Sequence, residues 1–128
     1  MARVLVVEDK AENLDLMTYL LEAFGHETLV GRNGAEGVSV ATEASPDLVV
    51  MDLQMPEMDG YEAVAILKRD PATARIPVVA VTAYAMVGDR DRVMAAGFDG
   101  YLTKPIDPTT FVRDVESHLD PALRPVRD

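Results

Sequence analysis

The sequence predicts an α/β fold of the flavodoxin-like (βα)5 type, a doubly wound parallel sheet of five strands. Short segments rich in β-branched and aliphatic residues alternate along the chain with segments of helical periodicity. Several of the short segments are apolar throughout, which is typical of parallel strands buried on both faces. Five such βα units fit within 128 residues, and right-handed crossovers then place helices on both faces of the sheet.

The predicted strands share a short length, an apolar character and flanking turn residues. They are RVLVV (3–7), ETLVG (27–31), DLVVM (47–51), PVVAV (77–81) and GYLT (100–103).

The five helices are predicted from apolar residues spaced three and four apart, which form one inward stripe on each helix. In chain order the stripes are Leu14, Met17, Leu21 and Phe24; Val38 and Ala41; Tyr61, Val64 and Leu67; Val93 and Met94; and Phe111, Val115 and Leu119.

Turn residues mark where these helices begin and end. Gly25 ends the first helix, Asn33-Gly34 opens the second, and Asp59-Gly60 precedes the third. The fourth runs from Asp89 to Ala96 and ends at Gly97. Asp107-Pro108 combines a good N-cap residue with a good first helical residue, and it opens the fifth helix.

Composition limits the classes of function. The chain has no cysteine, which excludes disulfides and cysteine metal sites. No apolar run approaches a membrane span or a signal peptide, so we expect a cytoplasmic protein without membrane insertion. The net charge of −10, from 12 basic and 22 acidic residues, disfavours direct binding to nucleic acid.

We expect one domain over residues 1–119 and a tail over residues 120–128. The segment DPALRPVRD has two prolines and no apolar period, which is typical of a frayed end or the start of a linker. The start at Met1 and the short tail favour a stand-alone protein over a piece of a larger one.

Four predicted strands are followed by residues that carry chemistry. Glu8-Asp9 follow the first strand, Asp52 the third, Thr82 the fourth and Lys104-Pro105 the fifth. Ligands of open parallel sheets bind beyond the carboxyl ends of the strands. We therefore expect these side chains to surround one site.

Such a set of side chains favours phosphoryl chemistry with a magnesium ion. Three crowded carboxylates repel one another unless a cation lies between them, and oxygen ligands without His or Cys suit Mg²⁺. An ammonium and a hydroxyl beside the metal would stabilise a phosphoryl group carried on a carboxylate. Aspartate is a known nucleophile in phosphoryl transfer.

The sequence resembles the receiver domains of two-component response regulators. The resemblance runs from Arg3 to about Leu119 and rests on VVED (6–9), MDLQMPEMDG (51–60), VTAYA (81–85) and YLTKPI (101–106). It looks similar to DivK-type stand-alone regulators, especially in AVTAYAMVGDRDR, but the receivers of hybrid kinases share much of that pattern. The resemblance implies the strand order 2-1-3-4-5.

The resemblance also implies a role for each site residue. Asp52 accepts a phosphoryl group from a histidine kinase or a histidine phosphotransfer protein, and the chain catalyses only this transfer and its own slow dephosphorylation by water. Lys104 contacts the phosphoryl group, and the Lys104–Pro105 peptide bond is cis. The implied Mg²⁺ ligands are Asp9, Asp52, the backbone carbonyl of Gln54 and, through a bound water, Glu8.

Signalling is implied to follow from a local rearrangement. Thr82 turns toward the phosphoryl group and Tyr101 then moves inward. The downstream protein target is expected on the face formed by the fourth helix, the fifth strand and the fifth helix. Gln54 and Tyr84 flank the path of the attacking water, so their bulk is expected to slow hydrolysis.

Three other readings remain in view. A magnesium-dependent phosphohydrolase of the haloacid-dehalogenase type needs an acid two residues after its nucleophile, where this chain has Gln54. A flavin carrier needs a phosphate-binding loop, where this chain has the acidic EDKAEN. A receiver that binds partners without phosphate is the third.

Residues outside these motifs are interpreted as structural. His26 and His118 are predicted to be surface residues. The methionines Met51, Met55, Met58, Met86 and Met94 are predicted to serve packing.

Overall fold

Five parallel strands form one sheet in the order β2-β1-β3-β4-β5. The computed structural model describes residues 2–83 and 89–124. The strands are β1 (Arg3–Val7), β2 (Glu27–Gly31), β3 (Leu48–Asp52), β4 (Val78–Thr82) and β5 (Gly100–Thr103). Both the strand order and the predicted strands are confirmed, with bounds that agree to within one residue.

Helices α1 (Ala11–Ala23), α2 (Gly34–Ala44), α3 (Gly60–Arg69), α4 (Asp89–Ala95) and α5 (Phe111–Glu116) connect and follow the strands. The helices lie on the two faces of the sheet, and each face has its own apolar cluster. Val4 and Val6 of β1 pack with residues of α1 and α5, whereas Leu5 and Val7 pack with residues of α2, α3 and α4. The alternation along β1 therefore makes the sheet doubly wound, as predicted.

Helices α2 and α3 begin where the sequence predicts, and each has a side-chain cap. The side chain of Asn33 accepts a hydrogen bond from the Glu36 amide at the start of α2, and that of Asp59 accepts one from the Glu62 amide at the start of α3. Both bonds satisfy amides that the first helical turn leaves without a partner.

The predicted start of α5 is wrong by three residues. The Asp107 carboxylate accepts hydrogen bonds from the backbone and hydroxyl of Thr109, 2.9 and 2.7 Å long, and so closes a turn over residues 108–110. The helix itself begins at Phe111. Asp and Thr favour such local bonds, which compete with helix initiation.

Two predicted inward residues are exposed, which corrects the stripes of α1 and α4. Phe24 is 46% exposed and Met94 is 38% exposed. Phe24 lies just past the end of α1, and Met94 directly follows buried Val93, so it points about 100° away from it around α4. The other predicted inward residues are buried or partly buried.

The histidine prediction fails for His26. Its side chain is buried at the start of β2, where it contacts Glu116 of α5. His118 is half-buried, and its ring lies beside Gly100.

Residues beyond α5 also have regular structure that the sequence did not predict. Pro121–Leu123 form a short 3-10 helix, and Leu123 packs against the cluster beneath α5. The side chain of Arg124 donates hydrogen bonds to the carbonyls of Leu119 and Ser117. No helix in the two described ranges is long and apolar enough to cross a bilayer.

Candidate functional site

The site lies at the carboxyl edge of the sheet, because the residues that end β1, β3, β4 and β5 meet there. The paired registers align Val7 with Met51, Asp52 with Val81, and Thr82 with Thr103. Parallel strands in this register end at one edge. β2 lies outside this set, on the far side of β1.

Three carboxylates converge at this edge. Glu8, Asp9 and Asp52 each offer an oxygen, and these oxygens lie within 4.8 Å of one another. Glu8 and Asp52 are buried, at 0% and 1% exposure, whereas Asp9 is exposed. The cluster is therefore open to solvent on the Asp9 side.

Lys104 brings a positive charge to this cluster from the end of β5. Its Nζ lies 2.8 Å from Glu8 Oε1 and 3.4 Å from Asp52 Oδ1. The backbone amide of Lys104 donates to the Thr82 carbonyl, which fixes the lysine against β4. The next peptide bond, Lys104–Pro105, is cis, as the resemblance implies.

The ionisation of this group reflects burial and crowding. Burial raises the pKa of Glu8 above its usual range, and the contact with Asp52 raises it further, while Lys104 opposes both effects. Burial lowers the pKa of Lys104, but its hydrogen bond to Glu8 and the charges of Asp52 and Glu8 outweigh this and raise the pKa overall. The site thus holds more negative charge than one ammonium neutralises.

Two buried oxygens in the described part of the site have no hydrogen-bond partner, and one of them, Glu8 Oε1, lies 2.8 Å from Lys104 Nζ. Asp52 Oδ2 is buried and makes no hydrogen bond within the described part of the chain. Its neighbour Oδ1 accepts from the Gln54 amide at 3.2 Å and lies near Lys104. A buried carboxylate oxygen without a donor is costly unless a cation or a donor approaches it.

The donor set fits magnesium. The cluster in the described part of the chain consists of three carboxylates, without imidazole or thiolate, and Mg²⁺ prefers such oxygen ligands. The orphaned Asp52 Oδ2 and the exposed Asp9 leave one side of the cluster from which a hydrated ion could approach. The residues therefore fit the ion that the sequence predicted.

Thr82 and Gln54 complete the edge between β3 and β4. Thr82, 1% exposed, donates its hydroxyl to Gln54 Oε1 at 3.1 Å. The sequence assigned Gln54 a metal-binding carbonyl and a place on the water path, but it gave no signal for this side-chain bond. Polar pairs between loops carry no local pattern in a sequence.

Tyr101 lies on β5, where it pairs with Ala80 of β4, and it does not belong to the carboxylate cluster. Its ring is half-buried and packs against the cluster that contains Tyr61 and Phe98. Burial raises the pKa of its hydroxyl, and the charge of Asp89 raises it further. Tyr84 and Met86, which the sequence placed near the site, lie outside the described residues.

Tight packing holds the loops of this edge. Gly60 opens α3 so close to the end of β3 that an added Cβ would lie 2.6 Å from the Asp52 carbonyl. Gly60 also donates its amide to the Leu53 carbonyl at 3.1 Å. The backbone after Asp52 is therefore fixed on the side facing α3.

Known proteins resemble this chain over most of its length. The sequence profile named "Response regulator receiver domain" matches residues 4–116. The polar-differentiation response regulator DivK of Brucella anthropi is 44% identical over 119 residues, which cover 93% of this chain and 97% of that protein. DivK of Brucella ovis is 43% identical over the same length.

Solved structures of similar proteins superimpose on most of this chain. The chemotaxis protein CheY4 of Vibrio cholerae superimposes with a TM-score of 0.87 at 27% identity, over 93% of this chain and 99% of that chain. A receiver domain of a Pseudomonas aeruginosa sensor histidine kinase superimposes with a TM-score of 0.83 at 29% identity, over 91% and 96% of the chains. A magnesium ion is coordinated in the active-site cleft of that receiver.

Proposed function

Because this chain belongs to the response regulator receiver domain family, whose members accept phosphoryl groups in two-component signalling, we propose that Asp52 is its phosphoryl acceptor. The observation that carries the proposal is the environment of this carboxylate. It is buried, one oxygen lies 3.4 Å from Lys104 Nζ, and the other makes no hydrogen bond to any residue that the structure describes. Of the two Asp52 oxygens, one would hold Mg²⁺ and the other would attack phosphorus.

The bond changes are simple. An Asp52 oxygen forms a bond to phosphorus while the bond from phosphorus to a phosphohistidine nitrogen breaks, and that nitrogen keeps the electron pair. Such a transfer depends mainly on positioning and charge neutralisation. Lys104 would stabilise the charge on the equatorial oxygens, and Thr82 would donate a hydrogen bond to one of them.

Magnesium would be held by Asp9, Asp52 and the Gln54 carbonyl, with Glu8 acting through a bound water. When bound, the ion supplies charge neutralisation between the carboxylates and the phosphoryl oxygens. Glu8 contacts Lys104 directly at 2.8 Å, so it also positions the lysine. This second role was not predicted from the sequence.

Signalling would follow from the Thr82 and Tyr101 rearrangement. Phosphorylation adds about 1.5 to 2 negative charges at the end of β3, and a partner that prefers the new arrangement shifts the population toward it. A groove of about 340 Å³ between β5 and α5 has Tyr101 and Thr103 at its edge and Phe111 in its wall. We place the downstream protein target on this side of the molecule, over α4, β5 and α5.

Several expectations go with this proposal. The phosphodonor is a histidine kinase or a histidine phosphotransfer protein, and the protein acts in the cytoplasm as a stand-alone regulator. The match to 97% of the length of DivK supports the stand-alone form. The domain spans residues 1–119 and the tail residues 120–128. Catalysis is limited to the protein's own phosphotransfer and slow dephosphorylation.

The test is the intact mass of the protein after incubation with acetyl phosphate, with and without Mg²⁺. We expect a magnesium-dependent gain of one phosphoryl group in the wild type and none in Asp52→Asn. Asp15→Asn, an exposed position on α1, is the matched control and should gain the group.

The proposal would be contradicted if the protein neither gained the mass of a phosphoryl group nor bound a phosphoryl analogue. If acetyl phosphate gives no adduct, beryllofluoride binding in the presence of Mg²⁺ shows whether the pocket is intact. A wild type that neither gains mass nor binds beryllofluoride is a binding module independent of phosphate.

We also propose that the bulk of Gln54 and Tyr84 slows hydrolysis of the phosphoaspartate. Exposed Gln54 lies two residues after the acceptor and contacts its Oδ1 through the backbone amide. Gln54→Ala and Tyr84→Ala are expected to shorten the lifetime of the phosphorylated protein. Unchanged dephosphorylation rates in both variants would contradict this.

A further inference from the structure

Gln54 contacts two residues of the site through different parts of its structure. Its backbone amide donates to Asp52 Oδ1 at 3.2 Å, and its side-chain Oε1 accepts from Thr82 Oγ1 at 3.1 Å. The register of β3 and β4 pairs Asp52 with Val81, which places the loop after β3 beside Thr82. One residue thus links the acceptor carboxylate to the hydroxyl of the next strand.

The bond from Thr82 to Gln54 uses the hydroxyl proton of Thr82. In the proposed function, the same proton is donated to a phosphoryl oxygen on Asp52. A threonine hydroxyl carries one proton and donates one hydrogen bond at a time. While Oγ1 donates to Gln54, it does not donate to an oxygen newly attached to Asp52. The side chain of Thr82 is also buried and β-branched, so its χ1 angle has few allowed values and a change of partner requires a discrete step.

We propose that Gln54 is a positioning residue that holds the Thr82 hydroxyl in its resting direction and thereby lowers the affinity of the site for phosphoryl-like ligands. The proposal rests on the proposed phosphoryl-acceptor function. It is separate from the effect of Gln54 on water, because it depends on the acceptor oxygen of the side chain and not on its bulk. Loss of one net hydrogen bond corresponds to about fivefold in an equilibrium constant.

The test uses Gln54→Met, which keeps the length of the side chain and removes the acceptor oxygen. Beryllofluoride is titrated into the full chain by calorimetry in saturating Mg²⁺. We expect Gln54→Met to bind beryllofluoride about fivefold more tightly than the wild type. The affinity for Mg²⁺ alone should be the same in both, because the backbone carbonyl of Gln54 is retained.

A second background separates the hydrogen bond from a general effect of the substitution. Thr82→Val keeps the shape of the side chain and removes the hydroxyl. In a Thr82→Val protein, Gln54→Met should change beryllofluoride affinity by less than about twofold, since the bond is already absent. A purely structural role for Gln54 would give the same change in both backgrounds.

The beryllofluoride titrations distinguish failure of this inference from failure of the proposed phosphoryl-acceptor function. No gain in affinity for Gln54→Met, or an equal gain with and without the Thr82 hydroxyl, overturns this inference and leaves the phosphoryl-acceptor function standing. A wild type that binds no beryllofluoride overturns both.

Discussion

His26 and Glu116, 90 residues apart in the chain, are joined by a buried contact of 2.6 Å between Nε2 and Oε2. His26 Nδ1 accepts a hydrogen bond from the Ala2 amide at 3.2 Å, so Nε2 carries the proton that is donated to Glu116. Three distant segments, the start of β1, the start of β2 and the end of α5, therefore meet at one imidazole.

The first prediction concerns this contact. Glu116→Leu leaves the buried Nε2–H of His26 without this acceptor, and we expect it to lower the free energy of unfolding by about 1–3 kcal/mol. Glu116→Gln keeps an acceptor oxygen and should lose less than half as much. Urea denaturation measures both. A Glu116→Leu protein as stable as the wild type would show that the contact contributes nothing.

The second prediction concerns removal of magnesium. In EDTA, Asp52→Asn should unfold at a higher temperature than the wild type, because it removes one of three crowded carboxylates. Added Mg²⁺ should stabilise the wild type by about 2.7 kcal/mol at about 100 times its dissociation constant, and it should stabilise Asp52→Asn much less. Thermal unfolding with Asp15→Asn as control checks this, and an equal response of both proteins to Mg²⁺ would contradict it.

The third prediction concerns the close approach of α5 to β5. A Cβ added at Gly100 would lie 2.5 Å from His118 Nε2 and 2.6 Å from its Cε1. Gly100→Ala should therefore cost about 1–3 kcal/mol of stability. In a His118→Ala background the same change should cost less, and denaturation of the four proteins measures the difference. Equal costs in the two backgrounds would mean that the imidazole is not the obstacle.

The fourth prediction concerns the turn before α5. The hydroxyl and amide of Thr109 stabilise the Asp107 carboxylate and lower its pKa below the usual value of 3.8. Since the folded pKa is depressed, the stability from this turn is present above the unfolded pKa and is lost as the pH falls through the folded one. An NMR titration should give Asp107 a midpoint below 3.8 in the wild type and a higher one in Thr109→Ala. The same midpoint in both would contradict this assignment.

The sequence predicted the sheet well, because β-branched segments bounded by turns carry a local signal for strands. It also placed Glu8, Asp9, Asp52 and Lys104 together, since the topology alone brings their strand ends to one edge. Phe24 was misplaced because the helical period does not continue past the end of α1. Met94 was misplaced because consecutive residues of a helix point about 100° apart, so it cannot share the inward direction of Val93. The burial of His26 depends on Glu116 and on the Ala2 amide, and nothing near His26 in the sequence indicates either.

The Thr82–Gln54 bond could not be predicted for a related reason. Gln54 has a long side chain with several rotamers, and its direction depends on what the end of β4 offers. The late start of α5 had a local cause, because Asp107 and Thr109 form a turn of their own that competes with the helix. Asp107 could therefore have capped a helix that starts at Pro108 or closed a turn with Thr109, and the sequence alone did not distinguish these two structures.

The position of Lys104 at the end of the last strand has a consequence for the protein during its synthesis. β5 pairs only with β4, at the edge of the sheet, and it leaves the ribosome after the four strands that precede it. Until β5 has docked, Asp52 has no ammonium partner from Lys104. On the proposed chemistry, a nascent or truncated chain would then be a poor phosphoryl acceptor. The kinase would therefore phosphorylate mainly chains in which β5 has docked.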